Sequence, residues 1–222
     1  MKILKRDFVE NNIRSIDNRA LPSGKAYFIQ DESGNISYAS KDRVKLDFPD
    51  TDIRTIIDLT NGLIKIYNHN GGGGGNGGNR ERPLDLGTIE LNKAIKYLMY
   101  TQEKLGNFSG YNSNNFLRSV YDYYIINNTL SQRQVEVVLG IEQQIPKYSL
   151  LNLDTCYAYE YKIKRSIAVL ANNTPGIEYM ESMLNQLYAK LYLSENQING
   201  IKKWFEFLTE DLRNTELTPF YV

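Results

Sequence analysis

The spacing of apolar side chains along the chain changes near Pro83. Before it, short β-prone pieces alternate with turn residues. Tyr27-Phe28-Ile29 and Ile36-Ser37-Tyr38 flank the turn-rich run Asp31-Glu32-Ser33-Gly34-Asn35. Val44-Lys45-Leu46-Asp47-Phe48 alternates apolar and polar positions, which predicts a half-buried strand ended by Pro49. Ile53 to Leu59 and Leu63 to Tyr67 enclose Asn61-Gly62, a pair that favours a tight primed hairpin turn because both residues tolerate positive φ. The first segment, Ile3 to Ile16, is only mildly amphipathic and reads as a short helix or an arm. Together these pieces predict a small antiparallel meander or an OB-like, partly open barrel over residues 1–67.

After Pro83 the period becomes helical. Leu91, Ile95, Leu98 and Leu105 follow three-and-four spacing, with Thr88 as the expected cap and Gly106 as the stop. Further helices are predicted around 114–127, 131–145, 151–171, 176–192 and 194–212. Thr174 is the expected cap of the fifth, with Pro175 at its first helical position. The stripe Ile198, Ile201, Phe205, Leu208 and Leu212 predicts one continuous final helix. The fold class is therefore α+β, a β-rich front and a helical bundle over 84–222. The tract Asn68 to Asn79 reads NHNGGGGGNGGN and predicts a flexible linker over 68–83. It ends in Asn79-Arg80-Glu81-Arg82, without the Gly-Lys-Ser/Thr that a phosphate-cradling P-loop needs.

Two stretches of the helical half match without a gap. FLRSVYDYYIINNTLSQRQVEVV starts at Phe116 and YMESMLNQLYAKLYLSENQINGI at Tyr179, an offset of 63 positions (179 − 116). Apolar columns coincide at Leu117/Met180, Val120/Met183, Tyr124/Leu187, Val135/Ile198 and Val138/Ile201. Each copy carries Leu-Ser-x-x-Gln, at Leu130-Ser131 with Gln134 and at Leu193-Ser194 with Gln197. Ser and Gln at that spacing form a capping box, so each copy predicts helix, corner, helix (116–138 and 179–201). The segment Asn115-Phe116-Leu117-Arg118-Ser119-Val120, followed by Leu130-Ser131-Gln132-Arg133-Gln134, resembles short helical pieces of bacteriophage-encoded nucleic-acid-processing proteins. The likeness covers about 30 of the 222 residues, twice over if the second copy counts, and implies a phage-type DNA-handling context. It transfers no functional residue, because the shared motif is mostly a cap.

Composition narrows the chemistry. Basic and acidic residues balance at 26 each, so the strongly basic footprint of a duplex binder is absent. Mean hydropathy is −0.46, no apolar run reaches the length of a membrane span, and the start of the chain does not read as a secretory signal. The expectation is a soluble protein of the cytoplasm, the host's if it is viral. One cysteine, Cys156, and one histidine, His69, exclude an internal disulfide and the usual zinc site. The lone histidine, with no Gly-x-Ser-x-Gly elbow, excludes the familiar serine triad. Asp47, Asp50, Asp52 and Asp58 form the densest carboxylate group, and they read as turn residues.

Two regions suit unpaired bases, which stack on rings while cations neutralise phosphates. One is the β-rich front, with Tyr27, Tyr38, Lys41 and Arg43. The other is the helix carrying Tyr157, Tyr161, Lys162, Lys164 and Arg165. The 17 tyrosines also suit an assembly surface, with Trp204 and Phe205 as its expected anchors. The function expected is that of a viral, non-enzymatic accessory factor without cofactor or metal. It would bind single-stranded nucleic acid or a nucleic-acid-processing complex. The alternative is an adaptor that assembles, with itself or another protein, through tyrosine-rich helices.

Overall fold

Residues 1–65, 83–111 and 114–221 are described by the structure, a computed structural model. The predicted glycine-rich linker (68–83), His69 and the end of the Leu63–Tyr67 run lie almost wholly outside those residues.

The front is a three-stranded antiparallel meander, β1 (Lys2–Phe8), β2 (Lys25–Gln30) and β3 (Ile36–Ala39), in the order β1-β2-β3. The β2–β3 turn closes as its composition predicts. The Asp31 carboxylate accepts from the Ser33 and Asn35 amides, and Gly34 takes φ +87°. One sheet face carries Tyr27 and Ile29, the other Ala26 and the half-buried Phe28.

Four local expectations give way here. The segment Ile3–Ile16 is neither helix nor free arm, because its first part pairs along β2 with a bulge between Ile3 and Lys5. The predicted strand Val44–Phe48 is instead part of helix α1 (Lys41–Asp47), capped by Ser40 and tied by Arg43 to Asp47 one turn on. A strand would place Val44, Leu46 and Phe48 on one face. The helix packs Val44 and Phe48 under the sheet and leaves Leu46 69% exposed. Ile53–Leu59 is a 3₁₀ turn (Ile53–Thr55) followed by one parallel bridge, where Arg6 donates to Ile57 O and accepts from Leu59 N. Asn61-Gly62 has no positive φ, and β4 (Leu63–Lys65) pairs antiparallel with β5 (Thr215–Leu217), far along the chain. Gly62 is required there by close approach: a Cβ would collide with the Asp154 carbonyl and lie 2.8 Å from Ala158 Cβ.

The helical part contains α2 (Leu86–Met99), α3 (Asn115–Asn127), α4 (Gln132–Gln144), α5 (Leu150–Leu170), α6 (Thr174–Lys190), α7 (Glu195–Phe205) and α8 (Glu210–Arg213). Caps fall slightly upstream of expectation. Asp85 rather than Thr88 accepts at the start of α2, and Asn173 rather than Thr174 at α6. The final stripe is broken at Glu206–Thr209 between α7 and α8, yet Ile201, Phe205, Leu208 and Leu212 all stay buried. Helix α2 continues through a π-turn (Tyr100–Lys104) into a 3₁₀ turn (Leu105–Asn107).

The internal match holds at atomic detail. Both capping boxes form, Ser131 with Gln134 and Ser194 with Gln197. Both hairpins turn at a left-handed residue 63 positions apart (191 − 128), Asn128 at φ 55° and Leu191 at φ 58°. Ser119 and Ser182 each donate to the carbonyl three residues back. The order repeats as well, since α2 packs on α3 and α4 as α5 packs on α6 and α7. The helical core also takes Phe8, Ile57, Leu59 and Leu63 from the β-rich front.

Candidate functional site

Of the sequence-predicted nucleic-acid residues, Tyr157, Tyr161, Lys164 and Arg165 come together. They line a cleft of about 580 Å³ between α5, the Phe8–Asn11 segment and the π-turn. The extra residue of a π-turn rotates the side chains that follow it, a device frequent at functional sites. Here it carries Glu103 and Lys104 to β1. Asp7, 1% exposed, does not line the cleft but bonds two residues that do. It accepts from Tyr157 Oη at 2.8 Å, and its other oxygen pairs with Lys104 Nζ at 2.6 Å and Lys5 Nζ at 3.4 Å. Glu103 takes Lys5 Nζ at 2.6 Å and Tyr121 Oη at 2.7 Å. Burial, and next the Asp7 carboxylate, push the Tyr157 phenol far above its usual range, so it remains a donor.

The aromatic faces are largely occupied. Phe8 stacks on Tyr161 at 4.1 Å and 6°, and the Arg165 guanidinium lies 5.7 Å from the Tyr161 ring centre. Lys104 lies 5.4 Å from the ring centre of Tyr157, which also meets Tyr100 edge-on. Gly24, at φ +64°, has no side chain to block the Tyr161 hydroxyl, which has no partner among the described residues. Glu160 on the cleft wall pairs with Lys164 at 2.6 Å and accepts from Tyr188 Oη at 2.9 Å. Burial works against the Lys164 ammonium, but Glu160 and Tyr188 outweigh it and hold its pKa above the ordinary lysine value. The cleft is thus a mixed-charge, ring-lined groove whose one cation without an ion pair among the described residues is Arg165.

The other predicted residues do not join it. Tyr27 is 4% exposed, its ring against Val44 and under the Arg6 guanidinium. Tyr38 packs edge-on against Phe28. Arg43 is bound to Asp47, and Lys41 projects from the start of α1. Lys162 points away from the cleft and is 3% exposed, bonded to Thr215. Burial places Tyr27 and Lys162 out of a ligand's reach from the cleft side. Trp204 is half-buried between Tyr179 and Phe207, whereas Phe205 is core.

Sequence reasoning missed Asp7, Lys5, Glu103 and Lys104. Their approach depends on the π-turn, which leaves no periodic mark. It also missed a second buried network. Lys96 pairs with Asp154 at 2.6 Å, Tyr100 Oη donates to Asp154, and Asn61 bridges Asp58 to Lys96 with its amide suitably turned. Burial raises the Asp154 pKa against the pull of Lys96. Cys156 is fully buried, its thiol on Leu191 O, and burial pushes its pKa well up. Asp47 and Asp58 pair with arginines and Asp52 caps the 3₁₀ turn. No group of three or more His, Cys, Asp or Glu is placed to hold a metal among the described residues, nor is any of their helices long and apolar enough to cross a membrane.

Fold and cleft together define an α+β protein in which a helical hairpin is used twice around one buried core. No family model, curated protein or solved structure matches the chain.

Proposed function

We propose that the protein is a non-enzymatic accessory factor that works by association, with hairpin α3–α4 as its docking element and a second copy of the chain as the partner. One comparison carries this reading. The positions on the outside of α3–α4 are bulky and exposed: Phe116 and Tyr123 at 42%, Ile126 at 81% and Val137 at 39%. Their counterparts in the second hairpin are Tyr179, Gln186, Ala189 and Gly200, where Tyr179 packs over Gly200 beside Trp204. One copy of the repeat has a finished outer surface and the other keeps an apolar one, the mark of an interaction face.

The α3 stripe is also self-complementary. Phe116, Ser119, Tyr123 and Ile126 share one helical face and are symmetric about position 121, since 116 + 126 equals 119 + 123. Two antiparallel copies of α3 would set Phe116 against Ile126 and small Ser119 against Tyr123, as a two-fold contact requires. The setting is the nucleic-acid-processing one that the likeness at 115–138 implies. Sedimentation over a concentration series tests it. The wild type should pass from monomer to dimer and Ile126→Glu should remain monomeric; a wild type monomeric throughout removes the reading.

A second reading is favoured by the grouping of Tyr157, Tyr161, Lys164 and Arg165. A single strand would run along the α5 cleft, held more by phosphate contacts than by stacking, since the rings face one another. A labelled oligonucleotide should then bind at low salt, weaken as salt rises, and bind Arg165→Gln several-fold more weakly. No binding at low salt removes it.

A further inference from the structure

We propose that a cavity on the opposite side of α5 binds a small molecule carrying one anionic head, carboxylate or phosphate, on a flat apolar body. The cavity, of about 570 Å³, lies between α5, α7 and the α8–β5 segment. Its inner wall contains Lys162, which is 3% exposed and yet has no carboxylate within ion-pair distance among the described residues. The Lys162 ammonium donates to Thr215 O at 2.9 Å and Thr215 Oγ1 at 3.1 Å, and lies 4.7 Å from the Phe205 ring centre. Buried charges in folded proteins are ordinarily paired, so an ammonium satisfied only by neutral groups is a standing attraction for an anion.

The rest of the lining fits that ligand. Lys202 and Arg213 open onto the same cavity, and neither has an ion pair among the described residues. Glu206 and Glu216 line it too; Glu206 is the carboxylate whose field reaches Lys162. Tyr159, stacked on Phe220 at 5.0 Å, and Phe205 supply flat walls for an apolar body. Burial lowers the Lys162 pKa to about 8, against the smaller pull of Glu206, and a bound anion would raise it again. Thr215 joins β5 to this wall, so an occupant would also touch the strand that pairs with β4.

Calorimetric titration of the full chain with phenyl phosphate, benzoate and inorganic phosphate tests the site. The expected result is binding of one or both aromatic anions, more tightly than inorganic phosphate. Lys202→Gln, exposed and outside the core, should weaken binding by about tenfold, and Lys162→Met should abolish it with the near-ultraviolet circular dichroism unchanged. A preference between phenyl phosphate and benzoate assigns the head group. Absence of binding by all three probes, or binding that neither substitution alters, overturns the proposal. Both results are independent of whether the chain dimerises, since α3 takes no part in the cavity.

Discussion

A methyl group added at Gly62 would meet the Asp154 carbonyl, part of the backbone of the most buried helix, so neither partner can give way. Gly62→Ala should therefore destabilise the fold by about 1–3 kcal/mol, as overpacking does. Gly140, inside α4, has nothing within 4 Å of an added Cβ. There Gly140→Ala should stabilise by about 0.5–1 kcal/mol through reduced chain entropy. Urea denaturation of both variants checks the pair, and equal effects would contradict it. The sequence marked Gly62 as a special position but for the wrong reason. Asn-Gly pairs are frequent in primed turns, and nothing local reveals a neighbour more than 90 residues away. Cys156, by contrast, behaves as free cysteines commonly do, as a small buried group.

Between residues and the whole lie the hairpins, where local signals are strongest. Ser131 and Ser194 each accept from the amide three residues on while a glutamine returns the bond, so each Ser→Ala should cost about 1 kcal/mol. Thermal melts of the two single variants and the double should show near-additive losses, since the boxes belong to different hairpins. The two corners differ at their left-handed residue. Asn128 adopts that conformation readily, whereas Leu191 costs about 1–2 kcal/mol there and offsets it by burying its whole side chain. Most helix positions and both capping boxes were readable because capping and three-and-four spacing act within a few residues. The alternation Val44, Leu46, Phe48 misled because residues 44 and 48 are also one helical turn apart. Only the sheet above them, with Ser40 and the Arg43–Asp47 pair, decides which period is used. The candidate cleft was half legible for the same reason. Tyr157, Tyr161, Lys164 and Arg165 belong to one helix, but Lys104 and the Asp7 it pairs with come from elsewhere in the chain.

At the scale of the molecule, the buried ionisable groups set how stability follows pH. Burial lowers Lys25 and Lys162 to about 8 from 10.5, so between those values the unfolded chain binds more protons than the folded one. Stability contributed by these lysines therefore rises as pH climbs from about 8 toward 10.5. Buried tyrosines act oppositely: burial raises Tyr100 and Tyr157 in the folded state, and stability falls once unfolded tyrosines ionise above about pH 10. Urea midpoints should accordingly increase between about pH 8 and pH 9, before unfolded Cys156 and the tyrosines are largely ionised, with a smaller increase in Lys162→Met. A midpoint that does not increase in the wild type would rule this out. The change of period near Pro83 was visible in the sequence. The sharing of Phe8, Ile57, Leu59 and Leu63 with the helical core was not, because periodicity reports which face is apolar and not what covers it.

The pairing of β4 with β5 has a consequence for how the chain is made. Lys65 faces Thr215, 150 positions later (215 − 65). At roughly 5–20 residues per second, a ribosome takes about 8–30 s to deliver the second strand after the first. Throughout that interval β4 lacks its mate and the ladder edge stands open to other nascent chains. Substitutions in Thr215–Leu217 would then be felt first as poor yield during synthesis, before any defect in the finished protein.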